Sequence, residues 1–299
     1  MRWPQALLDF KNYLRLERGL SANTVTAYQR DLKKAQAYFE KLGLSPLQLH
    51  LNHLEALLTH LSEIGVNPRS QARFISAIKA FYKYLILEDY LNHNPAELLE
   101  APKLPQKLPI YLEQDEIELI IDQIDLSTPE GHRNLAIFET LYGCGLRVSE
   151  LTGLRLSNLF FTDGIIRVTG KGDKERLVPI NPTAVKCIEL YFRQRQHLQI
   201  AKGHEDYVFL NRRGKQLTRA MIFHLVKTYV QLAGIRKKVS PHTFRHSFAT
   251  HLVRNGADLR AVQEMLGHES ITTTEIYTHL NKQQLRDAIL MYHPRGEKS

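Results

Sequence analysis

The segment Ala101-Pro102-Lys103-Leu104-Pro105-Gln106-Lys107-Leu108-Pro109 constrains the fold most, because it packs three prolines into nine residues. Proline has no backbone N–H and disfavours helix in the residue before it. No helix or central strand runs through such a stretch. It predicts an extended linker over 102–109 between an N-terminal domain, 1–101, and a C-terminal domain, 110–299. Each part is long enough for its own core.

The N-terminal part reads as helix throughout. Leu7, Leu8, Phe10, Tyr13, Leu14 and Leu16 supply a first apolar face up to Gly19. Ser21 suits the cap of a second helix, in which Val25, Tyr28, Leu32, Ala35 and Phe39 step by three and four. A third helix is expected over 47–61 and a fourth from Ser70 to about Leu87. Arg30, Lys33 and Lys34 lie largely off the apolar stripe of the second helix, and Arg69 and Arg73 are basic positions of the fourth. Such residues are either surface solubilisers or phosphate contacts, which give affinity without reading sequence.

The C-terminal part mixes two periods. Helices are expected over 114–124, 134–142, 183–198 and 219–232. Between them, Gly164 to Thr169 and Arg176 to Ile180 are β-rich and flank the turn Gly170-Lys171-Gly172-Asp173-Lys174, a hairpin. Leu156 to Phe161 offers a third strand. The whole is therefore expected to be mainly α with a small antiparallel β-sheet, an α+β domain behind a helical one.

Groups able to act on a phosphate gather in this second part. Two glycines, Gly143 and Gly145, make a tight turn before Arg147, and Glu150 lies one helical turn later, placed to orient it. Lys171 sits at the hairpin tip between two glycines that permit close approach of a ligand. In Pro241-His242-Thr243-Phe244-Arg245-His246, His242 and Arg245 share a helix face. The Arg fork suits the non-bridging oxygens of a phosphodiester. Gly267 can end a helix, with His268 next, and Thr272 and Glu275 fit a capping box that would set Tyr277 in a short helix. Taken singly, a His-x-x-Arg pair is a solvated face, a helical Tyr is packing and a hairpin-tip Lys is a solvent-exposed charge. Their order carries the argument.

The formal net charge of +9 suits an anionic partner. Basic loops at Arg212 and Arg213, and at Arg236 to Lys238, add to it, as do Lys103 and Lys107 in the linker. The two cysteines, Cys144 and Cys187, make no disulfide framework and fit a reducing cytoplasm. No zinc pattern, signal pattern or membrane-spanning apolar run is present in the sequence. No metal and no cofactor is expected.

With Arg147, Lys171, His242, Arg245, His268 and Tyr277 in this order, the chain resembles the tyrosine site-specific recombinases of the phage integrase family. The likeness covers nearly the whole length. It includes Ser21-Ala22-Asn23-Thr24-Val25-Thr26-Ala27-Tyr28-Gln29-Arg30-Asp31-Leu32, typical of the family's core-binding domain. Gly256 to Arg260, Leu266 to Ser270, Ile276 to His279 and His293-Pro294-Arg295 point to the Xer branch. The resemblance implies a core-binding domain that contacts double-stranded DNA and a catalytic domain. It implies Tyr277 as nucleophile, Arg147 and Arg245 as phosphate clamp, Lys171 as general acid, His242 in acid–base transfer, His268 as a phosphate donor and Glu150 in support.

It also implies chromosome-dimer resolution at a dif-type site in the cytoplasm. The partner would be a second Xer-type recombinase in a heterotetramer, and a septal DNA translocase of the FtsK type would activate the pair. An integrase of a mobile element remains open, as does a non-catalytic architectural DNA-binding protein. A type IB topoisomerase would share the chemistry without a partner. After Tyr277, Leu280, Leu285, Ala288 and Ile289 recur at near-helical spacing; the stripe either folds back on its own domain or, as the resemblance favours, docks on a neighbouring subunit.

Overall fold

A computed structural model describes residues 1–103, 110–170, 173–267 and 279–296, with the backbone alone for 279–284. Contacts within the chain group it into two units, Met1–Lys107 and Leu108–Ser299. Residues 104–109, most of the expected linker, lie outside the described residues, Lys107 included.

The first unit is four helices: α1 (Trp3–Leu16), α2 (Ala22–Lys41), α3 (Leu51–Glu63) and α4 (Pro68–Leu87). Each start has a local cause. Ser21 accepts from the Thr24 N–H at 3.3 Å, and Asn67 from the Ser70 N–H at 2.9 Å, with Pro68 preorganised at the first position of α4. The third helix begins later than its periodicity suggests, because Pro46–Gln48 forms a separate 3-10 turn ahead of it. Trp3 of α1 stacks on Phe39 of α2 and Phe81 of α4, which pins three helices around one aromatic centre. Asp31 is buried among these helices and takes a two-pronged bond from Arg73, at 2.7 and 3.0 Å.

The second unit is built on α5 (Gln114–Asp122), α6 (Pro129–Cys144), α7 (Val148–Thr152), α8 (Pro182–Arg195), α9 (Arg219–Leu232), α10 (Pro241–Arg254), α11 (Leu259–Leu266) and α12 (His279–Tyr292). A three-stranded antiparallel sheet, β1 (Leu159–Phe160), β2 (Ile165–Thr169) and β3 (Glu175–Pro179), completes it in the order β1-β2-β3. The register pairs Ile165 with Pro179 and Val168 with Arg176. The core runs through α6, which is buried along most of its length, against α8 and α10. The fold is thus mainly α with a small antiparallel sheet. Among the described residues no helix is long and apolar enough to cross a membrane. Both cysteines are free and buried.

The C-terminal helix packs on its own unit in this single chain, one of the two seats left open by the sequence. Leu285, Ala288 and Ile289 of α12 are buried in the core of their own unit. Of the expected stripe, Leu285, Ala288 and Ile289 are thus seated in cis, and the side chain of Leu280 lies outside the described residues. The segment after α12 completes the seat. His293 is buried, its ring 4.6 Å from that of Tyr142 and 5.4 Å from that of Phe248, and Arg295 reaches Glu139 at 3.3 Å.

Candidate active site

The site grows from the turn after α6. Gly145 ends that helix with φ +58°, a left-handed conformation that glycine adopts cheaply. A Cβ at this position would lie 2.5 Å from Cδ1 of Phe248, so the turn also needs glycine for space. The turn delivers Arg147 to the cap of α7. There the Arg147 backbone N–H donates to Glu150 Oε2 at 2.8 Å, and Nη1 donates to Oε1 at 2.8 Å. The expected meeting of Arg147 and Glu150 is what the structure shows. Arg147 Nη2 also donates to the carbonyl of Gly267, at 3.0 Å.

Arg245 arrives from α10. Its Nη1 donates to the Gly145 carbonyl at 2.6 Å and its Nη2 to the Leu266 carbonyl. Nη1 lies 3.8 Å from Glu150 Oε2. Burial lowers the Arg245 pKa to about 10, and the neighbouring Arg147 adds to the effect. The guanidinium is still cationic at neutral pH, and a buried cation favours an anionic guest.

A third arginine completes the cluster. Arg176 of β3 donates to Glu150 Oε1 at 2.5 Å and to Oε2 at 3.0 Å, and its Nε donates to the Met265 carbonyl at 3.1 Å. Burial alone would raise the pKa of Glu150. The bonds and charge of Arg176, with the bonds from Arg147, outweigh it and hold the carboxylate below its usual range. Three guanidiniums therefore surround one buried carboxylate and leave an excess of positive charge at the surface where Arg147 emerges.

The sequence pattern treats Arg176 only as the start of a strand. A signal was available. In a strand, Arg176 shares a face with Val178, which is fully buried. A charged residue on a buried face needs an ion partner.

His242 is exposed in the first turn of α10, one turn before Arg245. Gly267 ends α11 with φ +63°, as expected, and its carbonyl touches Arg147. The structure thus brings Arg147, Glu150 and Arg245 together and carries His242 on the same helix as Arg245. Lys171, His268 and Tyr277 lie outside the described residues, as does the capping box expected over Thr272 and Glu275. Of the expected DNA contacts, Arg30, Lys33, Lys34, Arg69, Lys103, Arg212 and Arg213 are exposed. Arg73 is partly exposed, but its fork is engaged by Asp31.

Comparison with known proteins decides the family. The model of the phage integrase family matches residues 111–284, and that of the phage integrase N-terminal SAM-like domain matches residues 7–89. The chain belongs to the phage integrase family. As a tyrosine recombinase it is a DNA breaking-and-rejoining enzyme. Tyrosine recombinase XerD of Listeria monocytogenes is 43% identical over 291 residues, covering 96% of this chain and 98% of the relative. Tyrosine recombinase XerD of Staphylococcus aureus is 42% identical over 289 residues, with the same coverage. The expected place in the Xer branch agrees with both. Among solved structures, XerH recombinase bound to a palindromic difH substrate is similar, with a TM-score of 0.71 and 26% identity. That match covers 91% of this chain and 80% of the other. The two matched models fall one on each structural unit of this recombinase.

Proposed function

We propose that this chain is a site-specific recombinase that cuts and rejoins duplex DNA through a 3′-phosphotyrosyl intermediate on Tyr277, resolving chromosome dimers at a dif-type site. The observation that carries the reading is the convergence of Arg147, Arg176 and Arg245 on buried Glu150. A phosphodiester carries one negative charge and gains more on its non-bridging oxygens as the pentacoordinate transition state forms. Preorganised guanidiniums stabilise that gain without having to reorient.

In the proposed reaction the Tyr277 oxygen attacks phosphorus and the 5′ oxygen departs. A phenol with a reference pKa near 10 is a poor nucleophile at neutral pH, so a neighbouring base or cation must assist it. His242 receives or relays that proton, and Lys171 gives a proton to the leaving 5′ oxygen. His268 donates to the phosphate. In the second half the 5′ hydroxyl of the exchanging strand attacks the phosphotyrosine, and the roles reverse. The covalent bond conserves the phosphodiester energy, so the scheme closes without a nucleotide cofactor, and the arginines supply the charge.

DNA affinity comes from cations in both units and in the proline-rich segment: Arg30, Lys33, Lys34 and Arg69 in the first, Lys103 and Lys107 in that segment, and Arg212 and Arg213 in the second, whereas the fork of Arg73 is engaged by Asp31. The expected assembly is a heterotetramer with a second Xer-type recombinase in the cytoplasm, activated by a septal DNA translocase. The XerD relatives support the Xer reading, and the difH complex of XerH supports the choice of a dif-type site.

A plasmid bearing two direct copies of the dif-type sequence from the same genome tests the assignment. Co-expression of this chain with the second recombinase should delete the intervening segment, and neither protein should do so alone. No exchange at that sequence, with exchange at the ends of a mobile element instead, would replace the proposal with an integrase.

A further inference from the structure

Arg176 joins three separate segments of the site. From β3 it reaches both oxygens of Glu150 on α7 and the Met265 carbonyl in the last turn of α11. Its side chain is only 9% exposed and that of Glu150 is fully covered. With Nε, Nη1 and Nη2 all engaged within the protein, Arg176 keeps no free arm for DNA. A buried carboxylate without a counter-ion is costly and draws in whichever cation stands nearest. Here Arg176 occupies both oxygens. Arg245 stands off at 3.8 Å, with its own arms on the carbonyls of Gly145 and Leu266.

We infer that Arg176 is a positioning residue for cleavage, compensating Glu150 so that Arg147 and Arg245 keep their charge and orientation for the scissile phosphate. The inference rests on the reading of Arg147 and Arg245 as the phosphate clamp. Without Arg176, Glu150 would pull Arg245 away from the Gly145 carbonyl and tighten on Arg147. The clamp would then be both misdirected and partly neutralised. A misplacement on the order of 1 Å can cost about 10²-fold in rate.

The test is a double-mutant cycle on full-length protein, read by single-turnover cleavage of a nicked duplex at saturating enzyme. Arg176→Gln should slow cleavage by about 10²-fold and leave duplex affinity unchanged. Arg176→Lys, which restores charge without the fork, should recover part of the rate. Arg176→Gln combined with Glu150→Gln should cleave faster than Arg176→Gln alone, because no carboxylate charge remains to capture Arg245. The amide oxygen introduced at position 150 still serves the Arg147 N–H.

Thermal melts on the same samples report folding. If Arg176→Gln does not fold, the comparison of the double variant with Glu150→Gln stands in its place, and these two should cleave alike. The inference is overturned by wild-type cleavage in Arg176→Gln, by the same loss in the Glu150→Gln background, or by a loss confined to DNA affinity. Absence of any adduct from the wild-type chain would instead overturn the recombinase mechanism, and this inference with it.

Discussion

A guanidinium offers a planar fork and a charge that persists at neutral pH, and the site uses both properties. Arg147 ties one arm to a backbone carbonyl and Arg245 ties two, so the plane of each fork is fixed within the protein. Arg245→Lys would keep a charge and lose that plane. It should lower single-turnover cleavage by roughly 10²–10³, the scale of losing one transition-state donor. Near-normal cleavage would show that local charge alone matters. Arg73 plays a different part. Its fork is closed on buried Asp31, so Arg73→Ala should destabilise the first unit by about 1–3 kcal/mol, the cost of leaving a buried polar group unpartnered. Urea melts would measure this. A loss of DNA affinity with a smaller salt slope and no change in stability would make Arg73 a phosphate contact instead. The pairing of Arg147 with Glu150 was legible because the two lie one helical turn apart. The partners of Asp31 and Arg176 were not, since each is supplied by an element far along the chain.

At the scale of elements, periodicity located most helices, and the β-rich run located the hairpin. Boundaries moved where a cap overrode the apolar pattern. Helix α6 starts at Pro129 because Thr128 accepts from the Gly131 N–H at 3.0 Å, ahead of the apolar run. The stripe on α12 was also legible, but its destination was not, because an amphipathic helix does not state which surface it covers. Its seat has a pH dependence. Burial holds His293 well below its ordinary pKa, at about 3, so the folded chain keeps it neutral where the unfolded chain takes up a proton. That contribution to stability is full above about pH 6.5, the unfolded value, and is lost progressively as pH falls toward the folded value. His251, also lowered chiefly by burial, acts in the same sense. Glu139, raised chiefly by burial, acts in the opposite sense within the carboxylate range. Thermal melts should therefore show Tm falling from about pH 6.5 to about pH 5, with a shallower fall in His293→Phe. A slope unchanged by that substitution would show that His293 does not report the docking of this segment.

At the scale of the whole molecule, two units with separate cores carry an overall charge of +9. A family model falls on each unit, and the second unit holds a cluster of three arginines around one carboxylate. The proline-rich segment made the division legible, and the spacing of His242 and Arg245 made the site legible. The sharing of Glu150 by three arginines was not, because it exists only once β3, α7 and α10 have met. The central proposal is one chemical event, the transfer of the scissile phosphate to Tyr277. A duplex nicked beside the cleavage position traps that event, because the short released fragment diffuses away and religation fails. Wild-type protein should yield a DNA–protein adduct that survives denaturation, and peptide mass mapping should place the DNA on Tyr277. Tyr277→Phe should bind the same duplex and give no adduct. An adduct in Tyr277→Phe, or one mapped to a different residue, would contradict the assignment.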